Sequence, residues 1–183
     1  MKKSKKLLKV NLACGNNLQK GFVGVDIIGK PETQAKIVHN LLTFPYPFKD
    51  NSVDEIFCSH FIEHLPHRDS FNDYFFDFFN ELYRIMKPGA KATFVAPYYT
   101  SMRAIQDPTH HRSIGEATFL YVSKEWRKLN KLEHYPIKCD FKVESMNYST
   151  NPAYEGRSQE AMQQMVQNYW NVVNDIAVVL RKQ

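Results

Sequence analysis

Residues 10–15 (V-N-L-A-C-G) and 23–26 (V-G-V-D) decide the fold of this chain. Both are short apolar runs of the kind that forms buried strands. The first run leads into small residues and Gly15, which let a ligand approach the backbone. The second ends on Asp26, and in nucleotide-binding α/β folds a carboxylate in this place accepts hydrogen bonds from ribose hydroxyls. The pair predicts a ligand site at the end of a parallel sheet, although an ordinary strand–turn pair with a surface Asp has the same pattern.

The rest of the chain alternates short apolar runs with helical periods, which predicts a doubly wound, mostly parallel α/β sheet. Strands are predicted at residues 7–12, 22–28, 36–38, 53–59, 92–96, 141–148 and 176–180, and helices at residues 70–86, 116–128 and 158–170. Only residues 16–22 separate Gly15 from Val23, whereas a parallel crossover normally needs about a dozen residues. The first crossover helix is therefore predicted to be reduced or absent.

Length and composition predict one domain without a membrane span. The 183 residues are 43% hydrophobic, and no apolar run approaches the roughly 20 residues that cross a bilayer. Five lysines among the first nine residues account for the whole net charge of +5, since the remainder holds 19 basic and 19 acidic side chains. Residues 1–6 are interpreted as a solvated basic tail, with a weak contact to RNA or acidic lipid as the alternative. Nucleic acid is therefore not the expected partner.

The cysteines indicate the compartment. Cys14, Cys58 and Cys139 are odd in number, far apart and in no C-x-x-C pair. Neither a disulfide framework nor a cysteine zinc site is expected, and a reducing cytoplasm fits best.

Several segments resemble the class I S-adenosylmethionine-dependent methyltransferases, in particular a short-looped subgroup similar to the methyltransferase type 11 domain. The matching segments are Asn11–Gly15, Asp26, Asn40–Phe48, Asp50–Ile56, Ser59–Leu65 and Glu81–Gly89. They follow the family's order over residues 8–97, and no such series covers residues 98–183. The resemblance implies about seven strands with an antiparallel last strand, S-adenosylmethionine as the cofactor, and methyl transfer to an acceptor by direct in-line displacement.

The resemblance also implies a cofactor site. The residues expected to bind the cofactor are Asn11, Ala13, Cys14, Gly15, Asp26, Ile27, Asn40, Leu41, His60 and Phe61. Asp26 would bind the ribose, and Ile27 and Leu41 would enclose the adenine. Asn11 and Asn40 stand where the family usually has Asp, which leaves a non-catalytic S-adenosylmethionine-binding relative as an alternative.

Residues 60–64 (H-F-I-E-H) also match H-x-x-E-H, the motif of inverted zinc peptidases. On a helix, His60 and His64 would be zinc ligands and Glu63 the general base, which makes a zinc-dependent hydrolase the alternative function. The predicted strand 53–59 runs directly into this segment and Pro66 follows it, which leaves little room for such a helix. No metal ligand is therefore predicted. A dinucleotide fold is disfavoured because G-x-G-x-x-G is absent.

Residues 98–135 are interpreted as an acceptor-side insertion or lid within a single domain of residues 1–183. The residues expected to bind the substrate are Tyr98, Tyr99, Asp107 and Arg112, with a surface loop pinned by Asp–Arg contacts as an equal alternative. His64, His110 and His111 are predicted as catalytic bases, because a neutral imidazole is available near pH 7. A small-molecule acceptor is expected, while its identity and the oligomeric state stay open.

Overall fold

A computed structural model of the protein describes residues 6–69 and 72–183. The strands are β1 (Lys9–Leu12), β2 (Val23–Asp26), β3 (Ile37–Val38), β4 (Val53–Ser59), β5 (Met86–Pro97), β6 (Phe141–Thr150) and β7 (Val173–Lys182). The helices are α1 (Tyr74–Ile85), α2 (Met102–Gln106), α3 (Glu116–Leu120), α4 (Lys124–Leu129) and α5 (Gln159–Asn168), with 3₁₀ turns at Ile62–His64 and Pro152–Tyr154. In the part of the chain that is described, no helix is both long and apolar enough to span a membrane.

The seven strands form one sheet in the order β3-β2-β1-β4-β5-β7-β6. The pairs β1–β2, β1–β4, β2–β3 and β4–β5 are parallel, and β7 runs antiparallel to both β5 and β6. The predicted α/β class with an antiparallel last strand is confirmed. Because β1 to β5 are all parallel, their carboxyl ends share one edge of the sheet, where open α/β sheets bind their ligands.

No helix connects β1 to β2, as the short spacing predicted. Residues 13–22 form turns and irregular backbone, and residues 27–36, between β2 and β3, do the same. The uncovered face leaves a cleft of about 1030 Å³ beside the start of β1 and β2. Lysines and apolar side chains line this cleft, including Lys9, Phe22 and Val38. This cleft is larger than the one at the carboxyl edge of the parallel strands, yet none of the predicted site residues lines it.

Helix α1 supplies much of the core. Phe78, Phe79, Leu82 and Ile85 on one face are fully buried, and the Phe79 ring lies 5.3 Å from that of Phe94 on β5. The helix begins at Tyr74 and not at residue 70, because Asp73 has extended backbone and its Oδ1 accepts a hydrogen bond from the Phe75 N–H. Residues 70 and 71 lie outside the described residues.

The predicted helix 116–128 is instead two helices, α3 and α4. Ser123 separates them, since its Oγ accepts a hydrogen bond from the Trp126 N–H and so starts α4 as an N-cap. Strand β5 is longer than the predicted 92–96, because it begins directly after α1. Strand β4 has the predicted bounds.

Arg112 fastens the loop after α2 to the start of α1. Its guanidinium donates to the carbonyl oxygens of Leu65 (2.7 Å) and Pro66 (3.1 Å) and forms an ion pair with Asp73. Both charged side chains are nearly buried, Arg112 at 12% and Asp73 at 11% exposure. Burial alone would raise the pKa of Asp73, but the hydrogen bonds from Arg112 and from the Phe75 N–H outweigh it and lower that pKa.

Replacing Asp73 by Ala is expected to reduce the free energy of unfolding by about 3–5 kcal/mol, because Arg112 is then left buried and unpaired. Urea unfolding measures the loss. The matched control is Asp77→Ala on the same helix. Asp77 pairs with the partly exposed Arg68, so its removal is expected to cost at most about 1 kcal/mol. Equal losses in the two variants would contradict this account.

The contribution of Asp73 also has a predicted pH dependence. A carboxyl whose pKa is lowered in the folded state stabilises above its unfolded pKa, about 3.9, and this stabilisation disappears as the pH falls through the folded value. Below about pH 4, the difference in unfolding free energy between the wild type and Asp73→Asn is therefore expected to shrink.

Candidate functional site

A cleft of about 240 Å³ opens at the carboxyl edge of the parallel strands. Its lining residues come from the ends of β1, β2, β3 and β4: Ala13, Asp26, Ile27, Asn40, Leu41, Leu42, Phe61 and His64. The parallel register brings these segments together although up to 51 positions separate them in the sequence. Six of the ten residues predicted to bind the cofactor line this cleft, together with the predicted catalytic residue His64.

Asp26 is the fixed polar group of the cleft. Its Oδ2 accepts a hydrogen bond from the Gly15 N–H and its Oδ1 accepts one from the Ile27 N–H, each at 2.8 Å. Gly15 and Ala13 both adopt positive φ angles, 46° and 49°, which turn the chain after β1 toward this carboxylate. Each oxygen of a carboxylate has two lone pairs. Both Asp26 oxygens therefore keep one for a pair of ligand hydroxyls.

The walls beside Asp26 are apolar. Ile27 is 59% exposed, an unusual state for this side chain, and Leu41 faces the same cleft while being 4% exposed. Asn40 adds a polar edge, since its Oδ1 accepts from the Leu42 N–H at 2.9 Å and its amide N–H₂ makes no hydrogen bond among the described residues. A carboxylate for ribose, an apolar slot and an amide at its rim fit a nucleoside.

Four predicted cofactor residues lie outside the cleft lining: Asn11, Cys14, Gly15 and His60. Asn11 is 1% exposed, and its Oδ1 accepts from the Gln19 N–H at 2.9 Å, so its side chain secures the loop after β1. Cys14 is also buried. A Cβ on Gly24 would come within 2.7 Å of its sulfur, and burial together with the Asp26 charge raises the pKa of its thiol. Gly15 acts through its backbone N–H on Asp26.

The three predicted catalytic histidines do not all lie in the same cleft. The rings of His64 and His110 pack edge to face, with centroids 4.6 Å apart, and His64 lines the cofactor cleft. His111 is exposed and lines a different cleft, beside Phe75 and Tyr135. The structure therefore brings two of the three histidines together.

The helix that the zinc-peptidase motif requires is not formed. Strand β4 ends at Ser59, His60 has a positive φ of 52°, and residues 62–64 form a single 3₁₀ turn. His60 and His64 therefore do not lie one above the other on a helix. The Glu63 carboxylate, whose oxygen lies 3.4 Å from His60 Nδ1, raises the pKa of the His60 imidazole. Nothing in this geometry supports a zinc hydrolase.

The predicted substrate residues divide into two groups. Tyr98 and Tyr99 line a cleft of about 700 Å³ between β5, β6 and α5. There the Tyr98 hydroxyl donates to Glu116 Oε1 at 2.9 Å, and the Tyr148 hydroxyl donates to the same oxygen. Burial and the Glu116 carboxylate raise the pKa of Tyr148 to about 12. Glu116 and Tyr148 carried no sequence motif. The pairing of β6 with β7 brings Tyr148 here, and the bridge between Tyr98 and Ile114 brings the start of α3 with Glu116.

Asp107 and Arg112 make contacts within the protein. Asp107 Oδ1 accepts from the Thr109 N–H at 2.8 Å and from the Thr109 hydroxyl at 2.7 Å. Arg112 holds Asp73 and two carbonyl oxygens and so pins its loop, and its substrate role stays a prediction.

Residues 12–94 match the family model described as a methyltransferase domain. This segment runs from the last residue of β1 into β5, and it contains all eight residues that line the cleft at Asp26. No curated protein sequence matches the chain.

Solved structures with the same fold are known. A SAM-dependent methyltransferase from Archaeoglobus fulgidus is 18% identical, with 96% of this chain and 86% of that chain covered at a TM-score of 0.61. A geranyl diphosphate methyltransferase in complex with SAM is 12% identical, with coverage of 97% and 78% and a TM-score of 0.57. A Haloferax volcanii methyltransferase in complex with the Trm112 methyltransferase activator is 16% identical, with coverage of 100% and 85% and a TM-score of 0.56.

At identities below 20%, these structures establish a shared fold, and the family model adds a match in the sequence itself. S-adenosylmethionine is the cofactor of this family. The chain therefore has the fold of the class I S-adenosylmethionine-dependent methyltransferases, and residues 12–94 match that family's methyltransferase domain in sequence.

Proposed function

We propose that the protein transfers a methyl group from S-adenosylmethionine to a small-molecule acceptor, with the cofactor held in the cleft at Asp26. The observation that carries this proposal is the Asp26 carboxylate, which two backbone N–H groups fix in place and whose oxygens keep lone pairs that could accept from ribose hydroxyls. When bound, S-adenosylmethionine supplies a methyl group on a sulfonium that is already activated for in-line displacement. The protein then has to position the partners and exclude water.

Apolar contact supplies the remaining recognition of the nucleoside. Ile27 and Leu41 offer surfaces for the two faces of the adenine, and covering the exposed Ile27 side chain removes apolar area from water. Asn40 lies at the rim, where its unused amide N–H₂ can donate to a ring nitrogen. The cleft volume of about 240 Å³ is small for a whole ligand site and suits the nucleoside part alone.

The acceptor side is proposed to begin at His64 and Phe61, the cleft residues that follow β4. Tyr98 and Tyr99 follow β5 at the same edge of the sheet and line the second cleft, which has aromatic walls and one carboxylate. Such a lining suits a small organic molecule better than a phosphate backbone. The fold shared with a geranyl diphosphate methyltransferase is in keeping with an acceptor of this size.

We also place the reaction in a reducing compartment such as the cytoplasm. Cys14, Cys58 and Cys139 are all free and buried. Burial raises the pKa of the Cys58 thiol well above its ordinary value, so this thiol stays neutral and unreactive.

Replacing Ile27 by Glu is expected to weaken S-adenosylmethionine binding by at least about 10-fold, because a charged carboxylate would have to be desolvated against the adenine. Calorimetry measures the dissociation constants of S-adenosylmethionine and S-adenosylhomocysteine. The matched control is Ile28→Glu. Ile28 is 51% exposed, adjacent in sequence and absent from the cleft lining, and its variant is expected to bind within about 3-fold of the wild type.

Both Ile variants change exposed side chains, so their unfolding free energies are expected to stay within about 0.5 kcal/mol of the wild type. If Ile27→Glu binds the cofactor as well as Ile28→Glu does, the adenine does not occupy this cleft and the proposal is wrong.

Replacing Asp26 by Ala is expected to weaken binding of both cofactor forms by roughly 10- to 100-fold, because hydrogen bonds to a charged group contribute about 1.5–3 kcal/mol. Glu133→Ala, which removes an exposed carboxylate that does not line the cleft, serves as the charge control. Thermal unfolding is measured alongside, since Asp26 also holds the Gly15 N–H. Cofactor binding that survives in a folded Asp26→Ala protein would refute the assigned ribose contact.

A further inference from the structure

The Glu63 side chain is buried without a hydrogen-bond partner. The residue is 1% exposed, and neither carboxylate oxygen accepts a hydrogen bond among the described residues. His60 Nδ1 lies 3.4 Å from Oε1, which is too long for a well-formed hydrogen bond. Burying a carboxylate without compensation is costly. A protonated His60 at 3.4 Å offsets only part of this cost, and a cation bound directly to the carboxylate would offset more of it.

Two imidazoles face the same carboxylate. One ligand-type atom from each of Glu63, His64 and His110 lies within 4.8 Å of the other two. Glu63 and His64 are neighbours in the 3₁₀ turn after β4, while His110 comes from the loop after α2. Two segments that are 46 positions apart thus meet at one point.

Hydrogen bonds fix the tautomer of His64. The Thr109 hydroxyl donates its proton to Asp107 Oδ1 at 2.7 Å, so toward His64 this oxygen can only accept. It lies 3.0 Å from His64 Nδ1, and the Thr109 carbonyl oxygen lies 3.3 Å from the same nitrogen. In the neutral ring, His64 Nδ1 therefore carries the proton and Nε2 keeps its lone pair.

The same reasoning applies to His110. Its Nδ1 lies 3.1 Å from the carbonyl oxygen of Ala104, which can only accept a hydrogen bond. In the neutral ring the proton is again on Nδ1 and the lone pair on Nε2, which lies 3.7 Å from Asp107 Oδ2. Metal-binding histidines are typically held in this way, with the second ring nitrogen donating to a carbonyl or carboxylate oxygen. The side chain of His110 is 9% exposed, so this arrangement is held within the protein.

The backbone keeps the two segments together. The Glu63 carbonyl oxygen accepts hydrogen bonds from the N–H groups of His111 (2.8 Å) and Arg112 (3.1 Å). Arg112 adds its bonds to the carbonyl oxygens of Leu65 and Pro66. The loop that carries His110 is therefore attached to the chain before and after His64, and these bonds position the donor atoms before any ligand binds.

We propose that Glu63, His64 and His110 bind a divalent transition-metal cation, such as Zn²⁺, Mn²⁺ or Fe²⁺, at the His64 end of the cofactor cleft. Two imidazoles and one carboxylate form a donor set that suits these ions and leaves coordination positions open. Bonds of about 2.1 Å require the three side chains to approach each other slightly. The site differs from the one in the H-x-x-E-H motif, because Glu63 is a ligand and His60 is not.

A cation here gives the proposed methyl transfer an acceptor class, and this part of the inference rests on that proposed function. An open coordination position suits a hydroxyl oxygen, whose pKa a bound cation lowers. The hydroxyl proton then passes to water. The oxygen forms its new bond to the methyl carbon as the bond from that carbon to sulfur breaks, and S-adenosylhomocysteine leaves. The acceptor is therefore an alcohol or a phenol.

Metal binding can be tested on chelator-treated protein by titration with Zn²⁺ in a calorimeter and with Co²⁺ in a spectrometer. We expect one equivalent to bind and Co²⁺ to give ligand-field bands. His110→Ala and Glu63→Gln are each expected to weaken binding by at least about 100-fold, since even indirect changes around a metal site cost about 10–100-fold. His134→Ala, which removes an exposed histidine outside the cluster, is the control.

His60→Ala separates the two possible metal sites. The cluster described here predicts that this variant binds the cation within a few-fold of the wild type, whereas the H-x-x-E-H site predicts loss of binding. Circular dichroism verifies that each variant is folded. Absence of binding in the wild type, or unchanged affinity in a folded His110→Ala protein, would overturn the proposal.

Cofactor binding by the same variants distinguishes this inference from the proposed function. His110 does not line the cofactor cleft, so His110→Ala is expected to bind S-adenosylmethionine as the wild type does. Cofactor binding without metal binding would remove the metal site and leave the methyltransferase proposal. Metal binding without cofactor binding would leave the metal site and refute the methyltransferase proposal.

Discussion

The site depends on the Asp26 carboxylate, which ties the end of β2 to the turn after β1. Its two oxygens accept hydrogen bonds from the N–H groups of Gly15 and Ile27. No helix covers the connection between these strands, so polar contacts have to shape it. Two further side-chain oxygens hold N–H groups of this loop, that of Asn11 the Gln19 N–H at 2.9 Å and that of Gln34 the Leu18 N–H at 3.3 Å. The two hydrogen bonds to Asp26 therefore hold the loop in place and also position one wall of the cleft.

Much of the fold follows from local patterns in the sequence. Strand β4 lies where its apolar run predicted it, and the missing helix between β1 and β2 follows from chain length alone. The predicted helix boundaries were wrong where side-chain hydrogen bonds determine where a helix begins. Asp73 starts α1 later than the apolar period suggested, and Ser123 divides one predicted helix into two. Both residues act as caps, whose effect depends on a local conformation that periodicity does not report.

The site was predicted less well, because a motif identifies a segment but not the direction of each side chain. The turn after β1 does form part of the cofactor cleft, yet Asn11 and Cys14 point into the protein. Arg112, predicted to bind the substrate, forms an ion pair with Asp73. The Glu63, His64 and His110 cluster joins a motif to a loop 46 positions away, and the fold brings the two together. The spacing of residues along the sequence does not show which distant segments lie together in the fold.

The central claim is that the cleft at Asp26 holds the nucleoside part of S-adenosylmethionine. A crystal structure of the protein grown with S-adenosylhomocysteine would test it most directly. The account predicts ribose hydroxyls within hydrogen-bond distance of both Asp26 oxygens and adenine between Ile27 and Leu41. Ligand density in the larger cleft beside Lys9 and Phe22, with the Asp26 cleft filled only by solvent, would contradict it.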